Sequence, residues 1–331
     1  MEADGREPRV LRLKRLMRSG LLRFATAASL AAGGLTVAGS LAAVGWVFEM
    51  ACHFRVQYLA ALLACSVVFA VAKSWRWSAA AFVLAAWNVV LIAPLYWPQR
   101  IETRSARLGP PWRIVSVNLF SGNPTPERVI EFLQSEQPDV VVALELTPRW
   151  QQRMEALADD LPHQQVFPRE GNFGIGIYSA WPIESVDFEP VGGGNLIAVA
   201  GILRDSERLT VIGAHPFPPM GATGVARRNG QLQRTAEIVA GVEGPCILAG
   251  DLNATSWSPA FQDLLEQSSL SDSRSGFGVQ PTWPAGRMLL RIPIDHCLTS
   301  HDLRTLNRRI GPDVGSDHLP VVVDVSGPSA E

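Results

Sequence analysis

The sequence predicts an α/β domain in which helices cover β-sheets, preceded by a region of membrane-spanning helices. Uncharged apolar stretches fill most of the first hundred residues. From residue 112 onward, short apolar runs alternate with amphipathic segments, and Gly and Pro separate them. At 331 residues the chain is long enough for one large domain in addition to the membrane region.

Three N-terminal stretches have the composition of transmembrane helices, because about 20 apolar residues cross a bilayer core of about 30 Å. They cover about residues 24–48, 54–72 and 77–97, and aromatic residues lie at their edges. The second stretch is short, and we expect Arg55 and Lys73 at its ends to extend toward the interface. A cleaved signal peptide explains only the first stretch, and a buried helical bundle is the other alternative.

The charges around these stretches predict their orientation. Residues 1–23 carry seven Lys and Arg, among them Arg6 and Arg23, which predicts a basic cytoplasmic N-terminus. Three crossings then place residues 100–331 outside the cytoplasm. Arg100, Arg104 and Arg107 follow the third stretch and argue against this orientation.

The part of the chain beyond the membrane region is acidic. Residues 100–331 carry nineteen Lys and Arg against 27 Asp and Glu. A broad basic surface for nucleic acid is therefore excluded, because phosphate neutralisation dominates that kind of binding. The four cysteines form no Cys-x-x-Cys pair, and we expect them to be small buried hydrophobic residues rather than disulfide partners or zinc ligands.

Local signals place the elements of this second part, which we expect to extend over residues 112–326. Residues 100–111 form a linker that closes on Gly and Pro. Thr followed by Pro predicts helices that begin at Thr125 and Thr147. Further helices are predicted at 225–242 and 259–267. Strands are predicted at 113–119, 139–144, 246–249, 292–299, 303–309 and 320–325, with four or five more between 163 and 215.

Polar side chains stand at the ends of several predicted strands. Each has a simple alternative explanation: an Asn there is often a turn former, and Asp295 with His296 could make a surface hydrogen bond. A buried carboxylate needs a partner, however, and hard cations such as Mg²⁺ prefer carboxylate and amide oxygens. Together these residues predict one cation site with acid–base groups beside it: Asn118, Glu145, His215, Asp251, Asn253, Asp295, Asp317 and His318.

In their order along the chain these motifs resemble the endonuclease/exonuclease/phosphatase superfamily, whose fold DNase I, AP endonucleases, neutral sphingomyelinases and inositol-polyphosphate phosphatases share. The resemblance covers about residues 112–326 and includes Gly-Asp-x-Asn at 250–253, Ile-Asp at 294–295 and Ser-Asp-His at 316–318. It implies a four-layered α/β sandwich of the DNase I type. Spans ahead of such a domain are similar to a group of multi-pass bacterial inner-membrane members; with the orientation predicted from the charges, the domain lies in the periplasm.

The resemblance also implies a metal-dependent hydrolysis of phosphodiester bonds. By the matching positions, Asn118, Glu145 and Asp317 bind Mg²⁺ or Mn²⁺. A divalent ion there would neutralise the charge of the phosphodiester, as attack on phosphorus requires.

The catalytic roles follow in the same way. His318 takes a proton from water or orients it, and Asp295 fixes the tautomer of that imidazole. Asp251 and Asn253 hold the attacking water and a phosphate oxygen. His215 donates a hydrogen bond to the developing charge.

The sequence departs from the family pattern before the metal-binding Glu, where many nucleases carry Gln and this chain has Leu144. AP endonucleases carry Tyr where His215 stands, which disfavours that activity.

Four further residues are candidates for binding substrate. Arg227, Arg234 and Arg291 could grip phosphates, and Trp283 could stack on a base or face a lipid headgroup. Solvated arginines, and a Trp packed under its loop, are the alternatives.

Three functions remain open at this point: a nuclease-like phosphodiesterase, a sphingomyelinase-like lipid phosphodiesterase, and a non-catalytic membrane-bound binding module. A transporter is disfavoured because the spans lack charge within the membrane. The expected partners are the phosphodiester substrate and, through the N-terminal helices, the membrane; no obligate protein partner is evident.

Overall fold

The computed structural model describes residues 9–98 and 109–327. Its contacts divide the chain into two compact units, and the boundary along the chain falls between Ile92 and Ala93. The arginines at 100, 104 and 107, most of the predicted linker and Arg6 lie outside the described residues.

The first unit contains helices α1 (Arg9–Ser40), α2 (Trp46–Cys52), α3 (Arg55–Val71) and α4 (Trp75–Ile92). Two segments, Met17–Ser40 and Trp75–Tyr96, are long and apolar enough to cross a membrane. Helices α2 and α3 meet at a 67° bend and add a third span only if the bent pair crosses as one. The number of candidate spans is therefore two or three.

Polar contacts lie inside this unit, where the sequence predicted spans without charge within the membrane. The Asn88 amide donates to the hydroxyl of Thr36 over 2.9 Å. Arg55 is buried, and its guanidinium donates to the Thr36 carbonyl over 2.8 Å. The expectation that Arg55 extends to the interface was wrong, because α1 supplies acceptors for its guanidinium. The buried charge of Arg55 also weakens the argument against a transporter, because that argument assumed spans without charge.

In the second unit, the first sheet contains β1 (Trp112–Asn118), β2 (Val140–Leu144), β3 (His163–Phe167), β4 (Ile175–Ser179), β11 (Arg304–Ile310) and β12 (Val321–Ser326). Its strand order is β11-β12-β1-β2-β4-β3. Strands β1 and β2 are parallel, and Asn118 pairs with Leu144 at their carboxyl ends.

The second sheet contains β5 (Ile183–Gly192), β6 (Asn195–Arg204), β7 (Glu207–Gly213), β8 (Cys246–Asp251), β9 (Ser271–Asp272) and β10 (Asp295–Thr299). Its order is β5-β6-β7-β8-β10-β9. It repeats the arrangement of the first sheet, because the central pair, β7 and β8, is again parallel. Strand β10 runs antiparallel to β8, so the beginning of β10 lies at the carboxyl end of β8.

Helices cover the outer face of each sheet. Helices α5 (Pro126–Glu136) and α6 (Pro148–Met154) pack on the first sheet through a cluster that includes Phe132 and Trp150. Helices α7 (Gly221–Ala240) and α8 (Pro259–Ser268) pack on the second through Leu232 and Phe261. A third cluster, which includes Ile114, lies between the sheets. The predicted four-layered α/β sandwich is confirmed.

Local signals account for the helix starts. Pro occupies the first turn of α5, α6 and α8, where a missing N–H costs no hydrogen bond. The Thr147 hydroxyl caps α6, as predicted, by accepting from the Trp150 N–H. The Thr125 hydroxyl makes no such cap on α5. The Asn123 side chain accepts the Thr125 N–H instead, over 2.8 Å. All four cysteines are free and buried, as expected.

Candidate active site

The predicted site residues converge where the inner faces of the two sheets end. Asn118, Asp251 and Asp295 each lie on the face of their strand that points toward the core between the sheets. The same faces carry the core residues Ile114, Ala249 and Cys297. Carboxyl ends of parallel strands meet at one edge of a sheet, and this chain has such an edge in each sheet. The site therefore covers one end of the apolar core, and Asn118, Asp251 and Asp295 are buried there.

Asn118 and Glu145 form one half of the site. The Asn118 amide donates to Glu145 Oε1 over 3.3 Å, and the Ser121 backbone N–H donates to Glu145 Oε2 over 2.9 Å. Glu145 has a φ of 57°, in the left-handed region that non-glycine residues rarely adopt. Such strain is characteristic of functional sites.

Gly250 allows the second half of the site to form. A side chain at this position would collide with the Ala214 carbonyl, which would lie 2.0 Å from its Cβ. The φ of Gly250 is also 150°. Glycine therefore brings β8 close to the segment that carries His215.

Asp251 and Asn253 follow Gly250 directly. The Asn253 N–H donates to Asp251 Oδ1 over 2.9 Å, and the Asn253 amide donates to the Pro216 carbonyl over 3.0 Å. Asn253 has a φ of 49°, a second strained position. These bonds fix Asp251 between two imidazoles, since its Oδ2 lies 3.5 Å from His215 Nε2 and 3.7 Å from His318 Nε2.

Asp295 and His318 form a buried carboxylate–imidazole pair. His318 Nδ1 lies 2.9 Å from Asp295 Oδ2. Asp295 also stands directly opposite Asp251 on the neighbouring strand. Two adjacent carboxylates repel each other unless positive charge lies between them, and His318 occupies that place.

The pKa values follow from this crowding. Burial alone would lower the pKa of His318, but the charges of Asp295 and Asp251 outweigh it and raise that pKa to about 10. Burial also opposes ionisation of Asp251, yet His318 and the hydrogen bond from His215 lower the pKa of this carboxyl. The pKa of Asp295 is raised, chiefly by burial. The two carboxylates thus favour the positively charged imidazole.

His215 lies at the edge of the same site. Its Nε2 faces Asp251, and the Phe173 ring lies 5.6 Å from its own. Its buried Nδ1 has no hydrogen-bond partner among the described residues. The predicted donation from His215 to the developing charge stays a prediction.

Two sets of residues are candidates for binding a cation. Asp251, Asp295 and His318 each offer a ligand atom within 4.8 Å of the others, so they form a possible Asp–Asp–His site. The other set is the one predicted from the sequence: Asn118 contacts Glu145, and Asp317 follows Ser316, whose hydroxyl binds the Asn118 carbonyl. Asp317 Oδ1 is buried without a partner among the described residues. An unpaired buried carboxylate oxygen is costly, and a hard cation would satisfy it.

The predicted substrate-binding residues take different positions. The Trp283 ring lies 6.3 Å from the His318 ring, and its Nε1 donates to Asp317 Oδ2 over 3.3 Å, so Trp283 belongs to the site. Arg227 is exposed above the Phe217 ring. Arg291 donates to the Ala285 carbonyl over 3.0 Å and holds its own loop.

Arg234 pairs with Glu237 over 2.9 Å on the exposed face of α7. The solvated alternative describes it better than phosphate binding.

Arg228, which the sequence offers with Arg227 and Arg234 as a possible phosphate ligand, is instead a positioning residue inside the domain. It is fully buried, and its guanidinium donates to the Asn253 carbonyl over 2.7 Å. Helical spacing was the available signal, because Val225, Arg228 and Leu232 share one face of α7.

Ser316 holds the two halves of the site together, since its hydroxyl donates to the Asn118 carbonyl over 2.7 Å. The same hydroxyl accepts the His318 N–H over 3.1 Å. The Ser121 N–H that binds Glu145 carried no signal in the sequence, because any residue offers a backbone donor.

The sandwich and its buried Asp–His pair define the class of DNase I-like hydrolases. The chain belongs to the endonuclease/exonuclease/phosphatase family, whose model matches residues 115–318. No curated protein matches the sequence.

Solved structures show the same fold. An endonuclease/exonuclease/phosphatase from Beutenbergia cavernae is 21% identical with a TM-score of 0.54, over 67% of this chain and 73% of that one. TDP2 of D. rerio, complexed with a single-strand DNA product, is 15% identical with a TM-score of 0.55, over 65% and 98%. The human nocturnin catalytic domain, with bound sulfate, is 16% identical with a TM-score of 0.53, over 70% and 99%.

Proposed function

We propose that this protein is a membrane-anchored, metal-dependent hydrolase of phosphodiester bonds. The observation that carries the proposal is the meeting of two groups at one end of the core between the sheets. One is the buried Asp295–His318 pair, and the other is the oxygen set of Asn118, Glu145 and Asp317.

His318 holds and transfers the proton. Its Nδ1 donates to Asp295, which fixes the tautomer and leaves Nε2 facing Asp251. The separation of 3.7 Å between Nε2 and Asp251 Oδ2 leaves room for one water that contacts both atoms. His318 would take the proton of that water at Nε2, and Asp295 would stabilise the resulting imidazolium.

Asn118, Glu145 and Asp317 would hold Mg²⁺ or Mn²⁺. When bound, such an ion supplies positive charge for the scissile phosphate, and its charge opposes the rise in the pKa of His318. We prefer these three residues over the Asp–Asp–His group as its ligands, because Asp295 and His318 already satisfy each other. Asn118 and Glu145 are held by hydrogen bonds from donors that leave further oxygen lone pairs free.

The candidate spans would anchor the domain to the membrane. The basic N-terminus would stay in the cytoplasm, and the domain would lie outside it if the bent pair of α2 and α3 crosses as one span. In a bacterial cell that location is the periplasmic side of the inner membrane.

Turnover of phosphodiesters by the full chain tests this proposal. The protein in lipid nanodiscs is assayed with Mg²⁺ or Mn²⁺ against DNA, RNA, phospholipid and bis(para-nitrophenyl) phosphate. DNA is included because TDP2 of D. rerio was solved with a DNA product. His318→Ala is expected to lower turnover at least about 100-fold, and His301→Ala, at an exposed position, is the matched control.

Equal turnover by the wild type and His318→Ala would contradict the mechanism. A folded wild-type protein that cleaves none of these esters under any metal condition would favour the non-catalytic binding module instead.

A further inference from the structure

Exposed apolar side chains of the catalytic domain concentrate in two loops beside the site. Among the described residues 109–327, six large hydrophobic residues are exposed, and four of them lie in these loops. Met220 is 81% exposed in the loop after His215. Met288, Leu289 and Leu290 are 74%, 82% and 49% exposed and consecutive. A contiguous exposed apolar group of this kind marks a binding surface.

The three consecutive residues, here called the apolar turn, stand at the tip of an ordered loop. At its base the Ile292 N–H donates to the Trp283 carbonyl over 2.6 Å, and the Trp283 N–H donates back over 3.1 Å. The Leu290 N–H donates to the Arg287 carbonyl over 2.9 Å and closes the turn. The chain therefore holds the apolar turn in the open while its base touches the site through Trp283 and Asp317.

We infer that the apolar turn inserts into the interfacial layer of the bilayer that anchors the chain. Arg287 and Arg291 flank the turn, which places positive charge beside apolar side chains on a domain whose residues are acidic in total. That combination complements a surface of anionic headgroups above acyl chains. An acidic groove on another protein is the alternative partner, and it would suit the two arginines. It would not need three exposed aliphatic side chains at one tip, which fit the depth of the interfacial layer of a bilayer.

The tether makes this weak contact effective. Three inserted side chains bind a membrane poorly on their own, but an anchored domain meets the bilayer as an intramolecular partner. The inference thus rests on the anchoring part of the proposed function. Because the base of the loop contributes Trp283 to the site, docking would place headgroup phosphates near His318 and favour an ester in the membrane surface as the substrate.

Site-specific labelling of the full chain tests the contact without relying on activity. All four native cysteines are buried, so Leu289→Cys can carry an environment-sensitive NBD fluorophore. Leu306→Cys is the matched control, because Leu306 is an exposed Leu on β11 toward the end of the sheet remote from the site. Both variants are reconstituted in vesicles of roughly three parts phosphatidylcholine to one part phosphatidylglycerol.

Nitroxide-bearing lipids are expected to quench the label at position 289 at least about twofold more than the label at 306, with a blue-shifted emission at 289. Equal quenching at the two positions, or none at 289, would overturn the inference.

A second measurement separates this contact from the chemistry. Leu289→Asp is expected to lower turnover of vesicle phospholipid about tenfold, a change of about 1.4 kcal/mol, and to leave turnover of bis(para-nitrophenyl) phosphate unchanged. Loss of turnover on both substrates would contradict a role in docking alone. Quenching at 289 in a protein that hydrolyses nothing would support the docking surface while the proposed function fails.

Discussion

Replacing His296 with Gln is expected to remove part of the acid sensitivity of the catalytic domain. His296 is fully buried, and its Nε2 lies 2.7 Å from the Ala254 carbonyl, so that nitrogen carries the proton. Its Nδ1 then accepts from the Arg274 guanidinium over 3.1 Å. Both nitrogens are engaged as a neutral ring, and a second proton would have to face the charge of Arg274.

The size of the effect follows from the pKa. Burial, assisted by Arg274, lowers the pKa of His296 from 6.5 to about 3. Below pH 6.5 the unfolded chain therefore takes up a proton at this residue and the folded chain does not. Stability is lost as the pH falls toward 3, by about 1.4 kcal/mol per unit once the unfolded group is protonated. Between pH 7 and pH 5 the loss is about 2 kcal/mol.

The contribution of His296 to the unfolding free energy can be measured by urea unfolding of the full chain in detergent micelles. Tryptophan fluorescence follows the unfolding at pH 7 and pH 5. His296→Gln lowers stability at both pH values because it loses the contact with the Phe261 ring. The difference in unfolding free energy between the wild type and His296→Gln should be about 2 kcal/mol smaller at pH 5 than at pH 7. His301→Gln, at an exposed position, is the control. A gap that stays constant with pH would refute the assignment of a neutral buried ring.

Three further outcomes are expected. Glu145→Gln keeps the size of the side chain but removes its charge, so Mg²⁺ or Mn²⁺ affinity measured by calorimetry should fall at least about tenfold, whereas exposed Glu131→Gln should leave it unchanged. Arg228→Leu leaves the Asn253 carbonyl without its donor and should lower the unfolding free energy by about 1–3 kcal/mol, against less than about 0.5 kcal/mol for exposed Arg227→Leu in the same thermal measurement. A reporter enzyme active only outside the cytoplasm, fused after Glu331, should be active; activity of a cytoplasmic reporter instead would mean that the bent pair does not cross.

Local and periodic signals were sufficient for most of the fold. Pro after Thr or Ser marked the starts of α5, α6 and α8, and apolar runs marked the strands of the inner pairs. The contact of Asn118 with Glu145 was also predictable, because these residues follow parallel neighbouring strands, whose carboxyl ends lie at the same edge of one sheet.

Contacts between segments far apart in sequence could not be predicted in the same way. The bend between α2 and α3 has no Pro or Gly at residues 53–54 to mark it. The partners of buried Asp272 and Arg274 depend on how β9 and β10 pair, which sets these residues beside His296. Burial by itself would raise the pKa of Asp272, but the Arg274 guanidinium within hydrogen-bond distance holds that pKa below its usual range. Composition alone predicts exposure for such charged residues.

The dipeptide Asp295–His296 shows that two residues adjacent in sequence can have unrelated roles in the structure. Successive side chains of a strand point to opposite faces, so Asp295 joins the core between the sheets while His296 packs against Phe261 on the helix side. The hypothesis that Asp295 and His296 make a surface hydrogen bond with each other was wrong. Both residues are buried, and their side chains bond to other partners. The imidazole that Asp295 holds comes instead from His318, 23 residues away in a different loop. A strand therefore supplies the fixed carboxylate, and a loop held by Ser316 supplies the imidazole that moves the proton in the proposed mechanism. That division keeps the charge in a rigid position.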